Sequence, residues 1–266
     1  MESENPVASV LPMPEPLLEQ SAGQLDKVAG DIIGAAGRCD SLLVSDGWLD
    51  ELADSLSEKA WIELDELADS LSEKAWIELD LLGHLPVGLI AALRNEVEIL
   101  DRTEAMGRAG IGRGADLTRD RSVRRDKIAW LDGYTAAQSE LFRFFDALRV
   151  GLNQRLFLGL KRYEAHYATY QPGDFYKRHL DSFRGRASRV VSLVLYLNEG
   201  WQLQDGGELR VFSPDNEDQM VGLVRPEAGR AALFLSEDVP HEVLPANRTR
   251  YSIACWFRQD EVPLPL

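Results

Sequence analysis

The chain carries four histidines, and two of them stand where an imidazole could meet a metal. His179-Leu180-Asp181 places an imidazole and a carboxylate two residues apart. In a strand, side chains at i and i+2 leave the same face, so both groups can reach one point in space. A second His would complete a facial set of two imidazoles and one carboxylate, which leaves positions open on a non-haem ferrous ion. His241 is the candidate, in the run Val239–Pro245, a short strand bounded by prolines. Arg250 follows at the mouth of the apolar run Thr249–Trp256, with Ser252 on the same face. A buried guanidinium there needs an anion, and its planar fork matches a carboxylate bidentately. Taken singly these features carry little, because a lone His on a strand is more often a satisfied core or surface residue than a ligand. The ordered set is what favours metal chemistry: His-x-Asp, a distal His, then Arg and Ser on the last strand.

Strands must position these groups. From about residue 163 the chain runs as short apolar segments at turn-marked intervals, at 163–171, 175–182, 189–198, 208–213, 221–225, 230–235, 240–245 and 249–257. Asp205-Gly206-Gly207 and Glu227-Ala228-Gly229 supply turns. Eight such strands predict a mainly β, α+β fold: a jelly-roll double sheet with helices packed on one side. Upstream, Asp126–Leu131 alternates as a further strand, and 135–150 reads as an amphipathic helix with Leu141, Phe144, Phe145 and Leu148 inward. Pro86 suits the first turn of an earlier helix whose stripe is Leu89, Ile90, Leu93, Val97 and Leu100. Between them, residues 102–125 hold seven arginines against three acids, with glycines and no periodicity, the composition of a solvated loop.

At 266 residues, one large domain with an appendage is expected. The net charge of −15 is uneven: residues 1–101 hold 22 acidic and 5 basic side chains, and the remainder 22 and 24. An acidic front attached to a near-neutral body argues against nucleic-acid binding, which needs Lys and Arg to displace counterions. No segment approaches the roughly eighteen apolar residues of a membrane span. The N-terminus is acidic and Pro-bearing, unlike a secretory signal. Cys39 and Cys255 make no disulfide framework, so a reducing, cytoplasmic setting is expected. Residues 1–40 read as an acidic mobile tail, 41–75 as a helical segment and 76–260 as the catalytic domain, its jelly roll over about 160–258.

Glu51–Asp65 is repeated without change as Glu66–Asp80. Each copy reads as a helix followed by the entry to a strand. Fifteen residues exceed four helical turns, so a helix through both copies would rotate its apolar stripe by about 60°. One place in a core cannot hold both. The second copy runs directly into Leu81 and the following helix and is expected to take the packed position, with the first an inserted duplicate.

On these residues the sequence resembles the Fe(II)- and 2-oxoglutarate-dependent dioxygenases, and within them the prolyl 4-hydroxylases of the hypoxia-inducible-factor type, including compact bacterial members. The resemblance rests on Arg125–Trp130, Tyr170–Gly173, Tyr176–Asp181, Leu195–Asn198, Gly206–Phe212 and His241 through Trp256. It implies a double-stranded β-helix, with Fe(II) held by His179, Asp181 and His241, the far carboxylate of 2-oxoglutarate on Arg250 and Tyr196, and Tyr170 and Ser252 lining that pocket. Dioxygen is the other cosubstrate and ascorbate the expected reductant. It further implies that the arginine-rich segment folds over a protein substrate, anchored by an Asp126–Arg189 ion pair. Elongation factor Tu and a hypoxia-response transcription factor are the family's substrates. His166 departs from the apolar residue usual at its place and shares strand parity with Tyr170. Trp130, Trp256 and Phe257 read as packing. Two other readings compete: an oxygenase acting on a free amino acid or another side chain, and a non-catalytic sensor of oxygen or 2-oxoglutarate.

Overall fold

The computed structural model describes residues 65–110, 120–182 and 189–259. The expected acidic tail, residues 51–64 of the first copy of the repeat and the centre of the arginine-rich loop, 111–119, lie outside the described residues.

Eleven strands are described: β1 (Trp76–Asp80), β2 (Gly107–Arg108), β3 (Lys127–Trp130), β4 (Arg162–Tyr170), β5 (Tyr176–His179), β6 (Arg189–Tyr196), β7 (Leu209–Phe212), β8 (Met220–Val224), β9 (Arg230–Leu235), β10 (His241–Val243) and β11 (Arg250–Arg258). They form a seven-stranded sheet, β1-β9-β6-β11-β4-β3-β2, and a four-stranded sheet, β5-β10-β7-β8. The eight strands expected from the turn-marked apolar segments are β4 to β11, and they divide four to each sheet in the double-stranded β-helix manner.

Strand alternation divides the large sheet between two cores. On β4, Ala165 and Tyr167 pack outward with Leu193, Ile253 and Phe257 beneath the helices. Ala168 and Tyr170, one step out of phase, face the space between the sheets with Tyr196, Phe234 and Val211. A one-residue slip would exchange the two sets, so register is strongly specified. Ser252 lies opposite Ala168 on one side and Tyr196 on the other, which puts three inward residues in a row.

Among the described residues three helices cover the outer face: α1 (65–74), α2 (Leu89–Arg102) and α3 (Ala136–Leu156). In α2 the expected stripe is buried at Leu89, Ile90, Leu93 and Val97. It starts at Leu89, after Gly88 in a left-handed conformation, so Pro86 stands in the preceding turn rather than the first helical turn. Thr135 caps α3 by accepting from the Gln138 backbone amide. The helix continues past residue 150 to Leu156 because Gly151 and Leu152 are buried in it. It stops where Asn153 turns its amide onto both backbone groups of Leu160.

The second copy of the repeat supplies part of α1 and all of β1. Leu67 and Leu71 join the outer core, which therefore extends N-terminal of residue 76. β1 pairs antiparallel with β9, from Trp76 opposite Phe234 to Asp80 opposite Arg230. The Trp76 ring lies over Gly222, where a Cβ would come within 2.2 Å of it. That slot accepts one indole and no side chain beneath it.

Candidate active site

Three inward groups meet near one end of the space between the sheets. His179 ends β5, Asp181 follows two residues on and His241 opens β10 directly opposite His179. Their ligand atoms lie within 4.8 Å of one another. Asp181 Oδ1 is 3.5 Å from His179 Nε2 and 3.8 Å from His241 Nε2. Each imidazole donates its other nitrogen to a backbone carbonyl: His179 Nδ1 to Lys177 at 2.8 Å and His241 Nδ1 to Val239 at 3.0 Å. This fixes the tautomer that turns both Nε2 lone pairs inward, the outer-shell wiring expected of metal-bound histidines. Ser192 donates to the second Asp181 oxygen at 2.7 Å and shares a 2.9 Å hydrogen bond with Ser236.

The electrostatics suit a cation. Burial pushes the Asp181 carboxyl up, but His241, His179 and the Ser192 hydroxyl outweigh it and hold the group well below the carboxylate range. Burial, with the neighbouring His179, lowers His241 to about 4. At neutral pH the cluster is therefore a carboxylate with a neutral His241, a donor set that fits Fe(II).

Farther along the same space lies a cation slot on the large sheet. Arg250 is only 1% exposed. Its Nε donates to the Gly207 carbonyl at 2.9 Å and Nη1 to Ser252 Oγ at 3.3 Å. Gly207 permits this approach: it sits at φ +73°, and a Cβ there would come 2.8 Å from Ala246 and 3.3 Å from Arg250 Cδ. Arg250 Nη2 and the Tyr196 hydroxyl, both buried, have no hydrogen-bond partner. Burial pushes Tyr196 up to about 12 against the pull of Arg250, so it is a neutral donor. The Tyr170 and Tyr196 rings each lie 4.9 Å from the guanidinium carbon. An unpartnered buried donor is costly, on the order of 1–3 kcal/mol, unless a ligand completes it. A carboxylate fits, accepting from Nη2 and the phenol together.

The Asp126–Arg189 pairing expected from sequence does not form. Asp126, fully buried, is held bidentately by Arg124 at 2.6 and 2.8 Å. Arg189 binds Glu164 at 2.6 and 2.8 Å, and its guanidinium lies 3.6 Å over the Trp256 ring. β3 runs beside the Tyr170 end of β4, whereas Arg189 sits beside its Glu164 end. Five strand steps from Glu164 to Thr169, roughly 17 Å, keep the pairs apart. His166 is buried with Nδ1 on its neighbour's carbonyl, edge-on to Trp130 and Trp256. Burial and Arg124 lower it to about 4.

Sequence reading missed two contributors. Ser192 shares strand parity with Tyr196, which was an available signal. Tyr176 stacks on His179 at 3.5 Å and 17°, although a three-residue spacing in a regular strand would put them on opposite faces. A register shift accounts for it: His241 opposes His179 and Val243 opposes Tyr176, two steps on β10 against three on β5.

Fold and site together define a non-haem iron oxygenase scaffold that takes a keto acid. The chain belongs to the 2OG-Fe(II) oxygenase superfamily, whose pattern matches residues 165–258, and the family's Fe(II), 2-oxoglutarate and dioxygen come with it. A Pseudomonas putida prolyl-4-hydroxylase is 42% identical, with a TM-score of 0.66, over 74% of this chain and 99% of that one. A prolyl hydroxylase from Trichoplax adhaerens, solved with a hypoxia-inducible-factor oxygen degradation domain peptide, has a TM-score of 0.66 at 27% identity, over 76% and 94% of the two chains. Egl nine homolog 1 of Homo sapiens is 33% identical over 155 residues, which are 55% of this chain. The match spans 35% of that relative's own length, and 59% of a second human prolyl hydroxylase.

Proposed function

We propose that this chain is an Fe(II)- and 2-oxoglutarate-dependent protein prolyl 4-hydroxylase. The observation that carries the oxygenase reading is the incomplete cation slot, Arg250 Nη2 with the Tyr196 hydroxyl on the large sheet, together with the His179–Asp181–His241 cluster at the end of the small one. The choice of proline is supported by the likeness to the Pseudomonas putida enzyme over nearly all of that protein's length.

The geometry supports the following roles. His179, Asp181 and His241 would hold the ferrous ion, and their carbonyl and Ser192 partners keep them aimed at one point. Arg250 and Tyr196 take the distal carboxylate of 2-oxoglutarate, Ser252 steers the guanidinium, and Tyr170 walls the slot. Iron and keto acid, once bound, supply oxidative decarboxylation to succinate coupled to hydroxylation of the substrate carbon. The protein contributes position and the exclusion of water. Ascorbate is the reductant that would keep the metal ferrous. The substrate is a protein with an accessible proline, elongation factor Tu and a hypoxia-response transcription factor being the candidates that the family supplies. Among the described residues no helix is long and apolar enough to cross a membrane. The few cysteines support a cytoplasmic setting.

Iron-dependent succinate release separates the readings. A proline-containing peptide should stimulate it and free proline should not. Stimulation by a free amino acid instead would transfer the site to a small-molecule oxygenase, and no release with any candidate would leave a sensor. Mass spectrometry of cell proteins with and without the enzyme, seeking one added oxygen on a prolyl residue, identifies the substrate.

A further inference from the structure

The described end of the arginine-rich segment is fastened to the strand that carries the first iron ligand. The Lys177 amide donates to the Val123 carbonyl at 2.9 Å, and the Arg125 amide donates to the Phe175 carbonyl at 3.1 Å. Between them Arg124 and Tyr176 form an isolated antiparallel bridge. The Arg124 guanidinium, fixed from below by buried Asp126, lies 4.6 Å from the centre of the Tyr176 ring. Tyr176 in turn lies flat on the His179 imidazole at 3.5 Å. Both determinants of the His179 ring orientation therefore run back to residues 123–126. Its stacking face is Tyr176, under Arg124, and its Nδ1 partner is the carbonyl of Lys177, whose amide Val123 holds. His241 has no such tie; its ring rests against Phe234 at a tilt, and its Nδ1 is held by Val239.

We propose that Arg124 and Tyr176 are positioning residues for His179: a guanidinium–phenol–imidazole stack through which residues 123–126, at the end of the arginine-rich segment, set how firmly the metal is held. This rests on the reading of His179 as an iron ligand. The stack works by geometry. A phenol lying on the imidazole restricts its rotation, and a cation over the far face of the phenol restrains the phenol.

The test uses the metal-free full chain and Mn(II), which binds oxygen and nitrogen ligands without redox turnover, followed by electron paramagnetic resonance. Tyr176→Leu should raise the Mn(II) dissociation constant about tenfold, the lower end of what losing an outer-shell partner costs. Tyr176→Phe, which keeps the ring, should restore parental affinity. The visible spectrum of the Co(II)-loaded protein, which reports ligand orientation, should shift in the first variant and not in the second. The double variant Arg124→Met with Asp126→Asn removes the cation without stranding a buried charge. It should weaken Mn(II) less than Tyr176→Leu, and it decides the matter if Tyr176→Leu does not fold. His179→Ala separates the two claims. If it abolishes Mn(II) binding while Tyr176→Leu, or the double variant in its place, binds as the parent does, the stack is overturned and the iron site stands. If His179→Ala itself binds as the parent does, the ligand assignment falls and the stack with it.

Discussion

The two ends of the cavity between the sheets are finished to different degrees. At the metal end, the polar atoms that do not face the centre are already used: His179 and His241 through carbonyls, the outer Asp181 oxygen through Ser192. At the cation end, Arg250 spends two of its donor nitrogens on Gly207 and Ser252, while the third and the Tyr196 hydroxyl stay buried and unpartnered. The first end is built from short strands of the small sheet, the second from nine-residue β4 and β11 and eight-residue β6 of the large one. A metal demands fixed directions, so its ligands are braced beforehand. On the proposed reading, a cosubstrate that enters and leaves each cycle would be recognised by donors left open for it.

That contrast predicts an all-or-none response at one end and a graded one at the other. His179→Ala or Asp181→Ala should abolish 2-oxoglutarate turnover at any cosubstrate concentration while leaving the fold intact, as thermal melting would check. Persistent turnover in either would dissolve the contrast.

The next effect is on stability. Asp126 is fully buried against Arg124, so Asp126→Ala should cost roughly 3–5 kcal/mol by stranding the guanidinium, read by chemical denaturation. Arg189 acts on a separate pair. Asp126→Ala and Arg189→Ala should therefore add within about 0.5 kcal/mol, and a larger coupling would restore the pairing first expected from sequence.

Arg250→Ala should raise the 2-oxoglutarate concentration needed for half-maximal rate by the equivalent of ~2–3 kcal/mol, one charge-assisted bidentate pair. Excess 2-oxoglutarate should rescue it, as it cannot rescue His179→Ala. An unchanged Michaelis constant would remove Arg250 from the slot.

The smallest effect concerns acid. His166 is lowered from 6.5 to about 4, so the unfolded chain takes up that proton first. Its contribution is whole above about 6.5 and is lost as pH falls towards 4, up to on the order of 3 kcal/mol. His241 titrates in the same direction, so in metal-free protein His166→Leu should lessen the acid sensitivity without removing it. An unchanged slope of stability against pH between 6.5 and 4 would contradict the shift.

What sequence made legible follows from how local each feature is. Apolar segments between turn signals located all eight strands of the double sheet, and the His-x-Asp spacing brought His179 to Asp181, although Asp181 lies just past the end of β5. The position of the repeat was argued from its junction with Leu81, and the core contacts of Leu67, Leu71 and Trp76 give that junction a physical reason. The failures are non-local. Arg189 finds Glu164 through the pairing of β6 and β4 with β11, which sets Trp256 opposite Glu164 and beside Arg189's end of β6. No spacing along the chain encodes that. Asp126 had a nearer partner at i−2 in Arg124, the same parity argument that worked for His179 and Asp181. The Tyr176–His179 stack depends on a bulge, which breaks the period on which the reading relied.

The most direct test is the stoichiometry of product formation. Purified protein with Fe(II), 2-oxoglutarate, dioxygen and a peptide of an identified substrate should form one succinate for each 4-hydroxyproline, located by fragmentation mass spectrometry. The same peptide with that proline replaced by alanine should return succinate to its uncoupled background. Full succinate release from the alanine peptide, or oxygen found on a residue other than proline, would contradict the prolyl 4-hydroxylase reading.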